Sequence, residues 1–394
     1  MSLHQAQDYI YSKLSKLSGD FVLISEQGKD SNFNFKDTKV TSRNFSKNLL
    51  TATYSKGKKV KIVEFDLKKD LDSQIKLLTT RLKNDPNFKG FSTNSKYRSN
   101  ELHDKNLVNF NVNNILDDAI DLAFQHGAKK IGGKFNYNSA NIRLLTSNGV
   151  DYDYDSSKLS MNMRVFVNDT SASKVISSTT LKDFDYRKKV IETLALAKEA
   201  VFAEKINPGE YSIILDPLAF SYVVNELGDS KFVNKKIGKS VGSKNLTLYD
   251  VGNLRGGLGS APFDKHGHPT RATEIISSGI LKNVSHDPNN FVVPIGKRSR
   301  QKLISEVDNG LLITKFSGAK INRGKISLNS KDAMFIIKDG QIIGSGKPVN
   351  ISEKLENFMT GFTESSNSKE RLLNPAVSTP VELPTVIIEG LKIR

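Results

Sequence analysis

Residues 207–230 constrain the fold more than any other stretch. Asn207-Pro208-Gly209 reads as a turn, and Tyr211-Ser212-Ile213-Ile214-Leu215 as a short apolar strand. Asp216-Pro217 then opens a segment whose apolar spacing suits a helix, with proline at its first turn. In a metal-dependent hydrolase, a helix in this place would carry the ligands. Here the polar positions hold Asn225, Glu226 and Ser230, and of these only the carboxylate has ligand or general-base chemistry.

Upstream of this unit, residues 2–17 read as a helix capped by Ser2, and 69–83 as a second helix with Leu71, Ile75, Leu78 and Leu82 on one face. Between them lie a strand at 20–25 and a hairpin of 48–54 with 59–65. Residues 84–112 carry little periodicity and read as a linker or crossing loop. A helix from Asn114 stops at His126-Gly127, where glycine suits a left-handed cap.

The period then changes to two. Strands are expected at 130–137, 140–146 and 158–168, and in the last Leu159, Met161, Met163, Val165 and Val167 alternate with polar residues. Asn148-Gly149 fits a type I′ turn between the second and third. A long helix over 183–205, capped by Asp183, leads back to Asn207. Beyond Ser230, short strands are expected at 246–249, 275–281, 311–316, 333–337, 341–344 and 385–389, with Asp339-Gly340 as a hairpin turn. Pro375, Pro380 and Pro384 suggest an extended tail ending in an edge strand.

These patterns define an α+β fold: an N-terminal α/β part with helices on mixed or antiparallel sheets, and a predominantly β C-terminal part of sandwich or barrel-like form. Since single cores rarely grow beyond roughly 250 residues, the 394 residues divide at 1–100, 101–206 and 207–394.

Composition narrows the chemistry. The chain has no cysteine, which excludes disulfides, Cys-based zinc sites and a cysteine nucleophile. No apolar run reaches the length of a membrane span, and residues 1–18 lack the apolar core of a signal peptide, so a cytoplasmic protein is expected. The net charge of +16 raises nucleic acid as a partner. Against this, the basic residues are scattered, with short clusters at Lys58-Lys59-Val60-Lys61, Lys235-Lys236 and 297–302 and no interleaved aromatics.

Three other arrangements offer chemistry. The glycine-rich run 252–259 lacks the Lys-Ser/Thr of a phosphate loop and reads as a loop. The Gly-x-Ser-x-Gly pattern at 238–242 is not read as a nucleophile elbow. His266-Gly267-His268, with Asp264 nearby and His286 as a third ligand, could hold a metal, or could be a polar turn between Pro262 and Pro269.

Asn207-Pro208-Gly209-Glu210-Tyr211 through Asp216-Pro217-Leu218-Ala219-Phe220 resembles the opening of the C-terminal domain of the TldD/PmbA family. Thr146-Ser147-Asn148-Gly149, 246–250, 261–264 running to 269–271, 275–282, 310–314 and 337–340 resemble further family segments in order and spacing. The resemblance implies a metallopeptidase scaffold acting on peptides or unfolded chains. Its catalytic TldD type carries zinc on a His-Glu-x-x-x-His helix with a distant cysteine, and pairs with a non-catalytic PmbA (TldE) type.

In this sequence the motif falls on Asn225-Glu226-Leu227-Gly228-Asp229-Ser230, where only the glutamate remains. The expectation is therefore a PmbA/TldE-like, non-catalytic chain with no cofactor of its own. Its partner would be a zinc-bearing TldD-like subunit in a heterodimer, with a homodimer as the alternative, and extended peptide its substrate. The residue-level alternatives are a stand-alone hydrolase with its metal at His266, His268 and His286, or a basic binding protein without activity.

Overall fold

The computed structural model describes residues 1–86, 88–93, 96–98, 101–107, 110–228 and 236–393. The N-terminal half contains α1 (Leu3–Leu14), β1 (Asp20–Lys36), β2 (Lys39–Lys56), β3 (Lys59–Glu64), α2 (Leu71–Thr79) and β4 (Lys83–Asn84). These are followed by α3 (Val112–Gln125), β5 (Lys130–Thr146), β6 (Asp151–Val167), β7 (Thr170–Ser178) and α4 (Tyr186–Glu199). Its seven strands form one antiparallel sheet in the order β4-β3-β2-β1-β5-β6-β7.

Helix boundaries follow their caps. Ser2 and Gln5 make a reciprocal capping box at α1, Asp70 caps α2, and Asn111 caps α3. The cap of α4 is Asp185, which accepts from the Lys188 backbone N–H, whereas Asp183 is bound by Thr180. The alternation at 159–167 is realised in β6, where Leu159, Met161, Met163, Val165 and Val167 are all buried against α3 and α4.

Several boundaries differ from the sequence expectation. A divider at residue 100 would cut this sheet, because β1 pairs with β5 from Val22↔Thr146 to Lys36↔Gly132. The first two expected domains are thus one sheet, joined by contacts too distant in sequence for local pattern to reveal. The strands at 130–137 and 140–146 are one strand, β5, whose central residues lose their alternation because the other face is lined with Asn and Ser. At the hairpin that follows, Gly149 has φ 85° and Asn148 stays at negative φ, so the turn is not type I′.

The C-terminal half contains β8 (Gly209–Leu215), α5 (Pro217–Gly228), β9 (Leu248–Val251), β10 (Ala272–Ser277), β11 (Ile280–Leu281), β12 (Phe291–Val292) and α6 (Arg300–Ser305). Then come β13 (Asn309–Ile313), β14 (Phe316–Asn322), β15 (Lys325–Ser330), β16 (Met334–Lys338), β17 (Gln341–Ser345), β18 (Asn350–Lys354), α7 (Leu355–Thr360), β19 (Phe362–Leu372) and β20 (Val381–Ile393). The thirteen strands make a mixed sheet, β11-β10-β9-β12-β20-β8-β13-β16-β17, with β14, β15, β18 and β19 branching from it. It does not close into a barrel.

The expected edge strand at the end of the chain is instead central. β20 pairs with β8, β12, β18 and β19, and the run from Val381 to Ile388 is buried on both faces. Such a doubly buried strand reads as a continuous apolar run. Pro384 is accommodated beside the register break between Ser365 and Lys369 on β19.

The two halves meet over one face of the N-terminal sheet. At one end Phe263 packs edge-on against Tyr154, with ring centroids 5.5 Å apart, and against Tyr97. At the other, the fully buried Asp332 carboxylate pairs with Arg164 at 2.6 Å and accepts hydrogen bonds from Ser171 and Ser173. Among the described residues no helix is long and apolar enough to cross a membrane.

Candidate functional site

The turn-strand-helix unit forms as the sequence predicts. β8 is flanked by β20 and β13, so Ile213, Ile214 and Leu215 are fully buried. Asp216 sits at the strand-to-helix junction, nearly inaccessible, and forms a bidentate pair with Arg300 of α6 (Nε–Oδ1 2.7 Å, Nη2–Oδ2 2.9 Å). Thr385 Oγ1 on β20 donates to the same carboxylate at 3.0 Å. Burial works to raise the Asp216 pKa, but the Arg300 charge, the more distant Lys174 and the hydrogen bonds together hold it at about 2. This pair pins the entry of α5 to both α6 and the central strand.

α5 is apolar almost all round, with Leu218, Ala219, Phe220, Tyr222, Val223, Val224 and Leu227 buried. Its polar stripe is Ser221 and Asn225, four residues apart and hence on one face. Both grip the segment before β20. Asn374 Nδ2 donates to Ser221 Oγ at 2.9 Å, while Asn225 Oδ1 accepts from the Ser378 backbone N–H at 3.2 Å and from Ser378 Oγ at 3.0 Å. Glu226 is half-buried on the next face of the helix. Ser230 lies outside the described residues. At Gly228 an added Cβ would fall 2.0 Å from the Phe291 ring, so the helix end is packed against β12.

These residues do not fit a zinc ion. The amide at Asn225 offers no imidazole donor, its oxygen is already engaged by Ser378, and the chain has no cysteine to serve as a distant ligand. Among the described residues no three His, Cys, Asp or Glu side chains are grouped to hold a metal.

The His266-Gly267-His268 loop is engaged in joining the two halves. Asp264 Oδ1 accepts from the backbone N–H groups of His266 (2.8 Å) and His268 (3.0 Å), which shapes the turn. The His266 ring packs edge-on to Phe88, with centroids 5.3 Å apart, and its backbone carbonyl accepts from Ser92 N–H. His268 Nε2 lies 2.9 Å from the Gly90 carbonyl, and Tyr97 OH donates to the Gly267 carbonyl at 2.6 Å. Burial pushes the His266 pKa down. His286 is not brought into this group. Phe88, Gly90, Ser92 and Tyr97, from the stretch that reads as a linker, thus hold the loop, beside a cleft of about 970 Å³ that Lys89 and Arg271 also border.

Sequence reading missed two features of the site region. Arg300 belongs to the short basic cluster at 297–302, and only tertiary structure shows its carboxylate, Asp216. A cavity of about 200 Å³ between Asn162 of β6, Leu218 and Tyr222 of α5, Lys315 and Asn374 lies where the two halves meet, and no local pattern marks it.

Residues 208–289 and 283–394 match the family model described as the PmbA/TldA metallopeptidase C-terminal domain. The unit built on β8 and α5 therefore belongs to a metallopeptidase-type domain. A metalloprotease of Methanocaldococcus jannaschii is 24% identical over 220 residues, or 45% of this chain and 48% of the relative. Metalloprotease PmbA of Escherichia coli O157:H7 is 23% identical over 207 residues, or 48% of this chain and 45% of the relative. The chain spans about half the length of the curated relatives it matches. Across its whole length the fold is that of TldE from Thermococcus kodakarensis, with a TM-score of 0.78 at 17% identity and 100% of both chains covered. The chain is a member of the TldD/PmbA family.

Proposed function

We propose that this chain is the non-catalytic, TldE-type subunit of a cytoplasmic TldD/TldE-type peptidase, pairing with a zinc-bearing TldD-type chain and helping to hold extended peptides for cleavage there. One observation carries the reading. On the helix where the family resemblance puts the metal ligands, Asn225 is spent on fastening the Ser378 segment. A side chain that anchors the strand connection cannot at the same time turn towards a metal. The zinc chemistry, activation of a water for attack on a peptide bond, would then be supplied wholly by the partner.

The test is elemental analysis of the purified chain together with a peptidase assay on the chain alone, on a TldD-type partner alone and on the mixture, each with and without chelator. The expected result is far below one zinc per chain and chelator-sensitive hydrolysis only when the partner is present. Stoichiometric zinc in the chain alone, with hydrolysis abolished by Glu226→Ala, would overturn it.

A further inference from the structure

Lysine side chains are seldom withdrawn from water unless paired, and Lys158 of β6 is an exception. It is half-buried on the face of the N-terminal sheet that the C-terminal half covers, and among the described residues no hydrogen bond or ion pair closes on its ammonium. Burial lowers its pKa, while the charges of Glu26 and Asp30 draw it up and Lys47 opposes them. The nearby carboxylates are already engaged. Glu26 pairs with Lys47 at 2.8 Å, and Asp30 accepts from the Asn138 amide.

The register places what surrounds it. Phe45, Asp30, Asn138 and Lys158 are cross-strand partners in one row over β2, β1, β5 and β6. The next row holds Arg43, Asn32, Asn136 and Ser160, and Lys134 stands one row further on. Arg43 lies over the Phe45 ring, 5.5 Å from its centroid, and neither it nor Lys134 has a carboxylate partner among the described residues. Three cations thus stand without an ion-pair partner among the described residues, with amide side chains and the Asp30 carboxylate between them. These rows form a partly exposed strip of the sheet face between the Tyr154–Phe263 contact and the Arg164–Asp332 pair.

We infer that this strip binds an extended peptide bearing a carboxylate, with Lys158 as the carboxylate's partner and the asparagines Asn32, Asn136 and Asn138 facing the peptide backbone. Four adjacent strands span about 14 Å, the length of roughly four residues of extended chain laid across them. An incoming carboxylate would give the half-buried ammonium the charge-assisted hydrogen bond it lacks. The inference rests on the peptide-handling reading above and gives it a substrate class, acidic peptides.

The experiment is fluorescence anisotropy on the full chain with two fluorescein-labelled, C-terminally amidated alanine-serine decapeptides, one with a central glutamate and one with glutamine in its place. Wild-type protein should bind the glutamate peptide about tenfold tighter, equivalent to ~1.4 kcal/mol. Lys158→Met should erase that preference without weakening the glutamine peptide, and Lys158→Arg should retain it. Unchanged melting temperatures of both variants confirm folding. If both peptides bind wild type equally, or Lys158→Met keeps the preference, the inference falls and the peptide-handling reading stands. If neither peptide binds, both fall. Displacement of the glutamate peptide by inorganic phosphate but not by glutarate would reassign the strip to phosphate and overturn the proposal.

Discussion

The C-terminal sheet is built round β20, whose residues from Val381 to Ile388 are buried on both faces and hydrogen-bonded to strands on both sides. The N-terminal sheet packs one face on helices, and its other face is polar beyond the patch of Val22, Ile142 and Leu144 under Phe263; its outer strands reach solvent, as at Ile62 (53% exposed) and Phe45 (45% exposed). The first arrangement spends its residues on stability. The second leaves a file of Asn, Asp, Lys and Arg side chains free of packing duty. The difference teaches where to look for each role: the motif helix α5 is packed into the tightly buried sheet, whereas the polar face with unpaired cations belongs to the looser one.

The comparison can be broken most directly by matched truncations. Ile388→Ala in β20 removes a fully buried side chain from between two packed layers, and should cost about 2–5 kcal/mol in urea unfolding. A loss below about 1 kcal/mol would show that the C-terminal sheet is far more plastic than its packing implies.

Next in size is Asp216→Asn, which leaves Arg300 without its counter-charge and should destabilise the chain by about 3 kcal/mol at neutral pH. Because the folded carboxyl is held at about 2, below its unfolded value, its contribution is fully present above pH ~4 and is lost as pH falls towards 2. The stability gap between wild type and variant should therefore shrink across that window, which acid titration followed by circular dichroism would reveal. A constant gap would assign the effect to packing instead. Smallest is Ile62→Ala on β3 in the N-terminal sheet, where a change within about 0.5 kcal/mol is expected.

The sequence made local features legible and long-range ones not. The cap at Ser2, the alternation along 159–167 and the Asp339-Gly340 turn, with φ of 48° and 75°, depend on residues within one or two turns of each other, while the α4 cap expected at Asp183 falls two residues later at Asp185. The pairing of β1 with β5 and the central position of β20 depend on partners more distant in sequence, and prolines 375, 380 and 384 pointed towards an edge. The site region divides in the same way. Replacement of the motif at Asn225 could be read from the resemblance, but its bond to Ser378 joins residues that no local spacing relates. Lys158 was visible only as a strand residue, because burial without a partner is a property of the assembled face.

The pairing of β8 with β20 sets a timetable for biosynthesis. Leu215 lies opposite Val386, about 170 residues later, which at 5–20 residues per second is about 10–30 s of translation. During that interval the apolar strand Ile213-Ile214-Leu215 has left the ribosome with its antiparallel neighbour still unmade. The C-terminal half therefore depends, while it is being synthesised, on whatever shields an unpaired strand edge, and slower translation would lengthen that exposure.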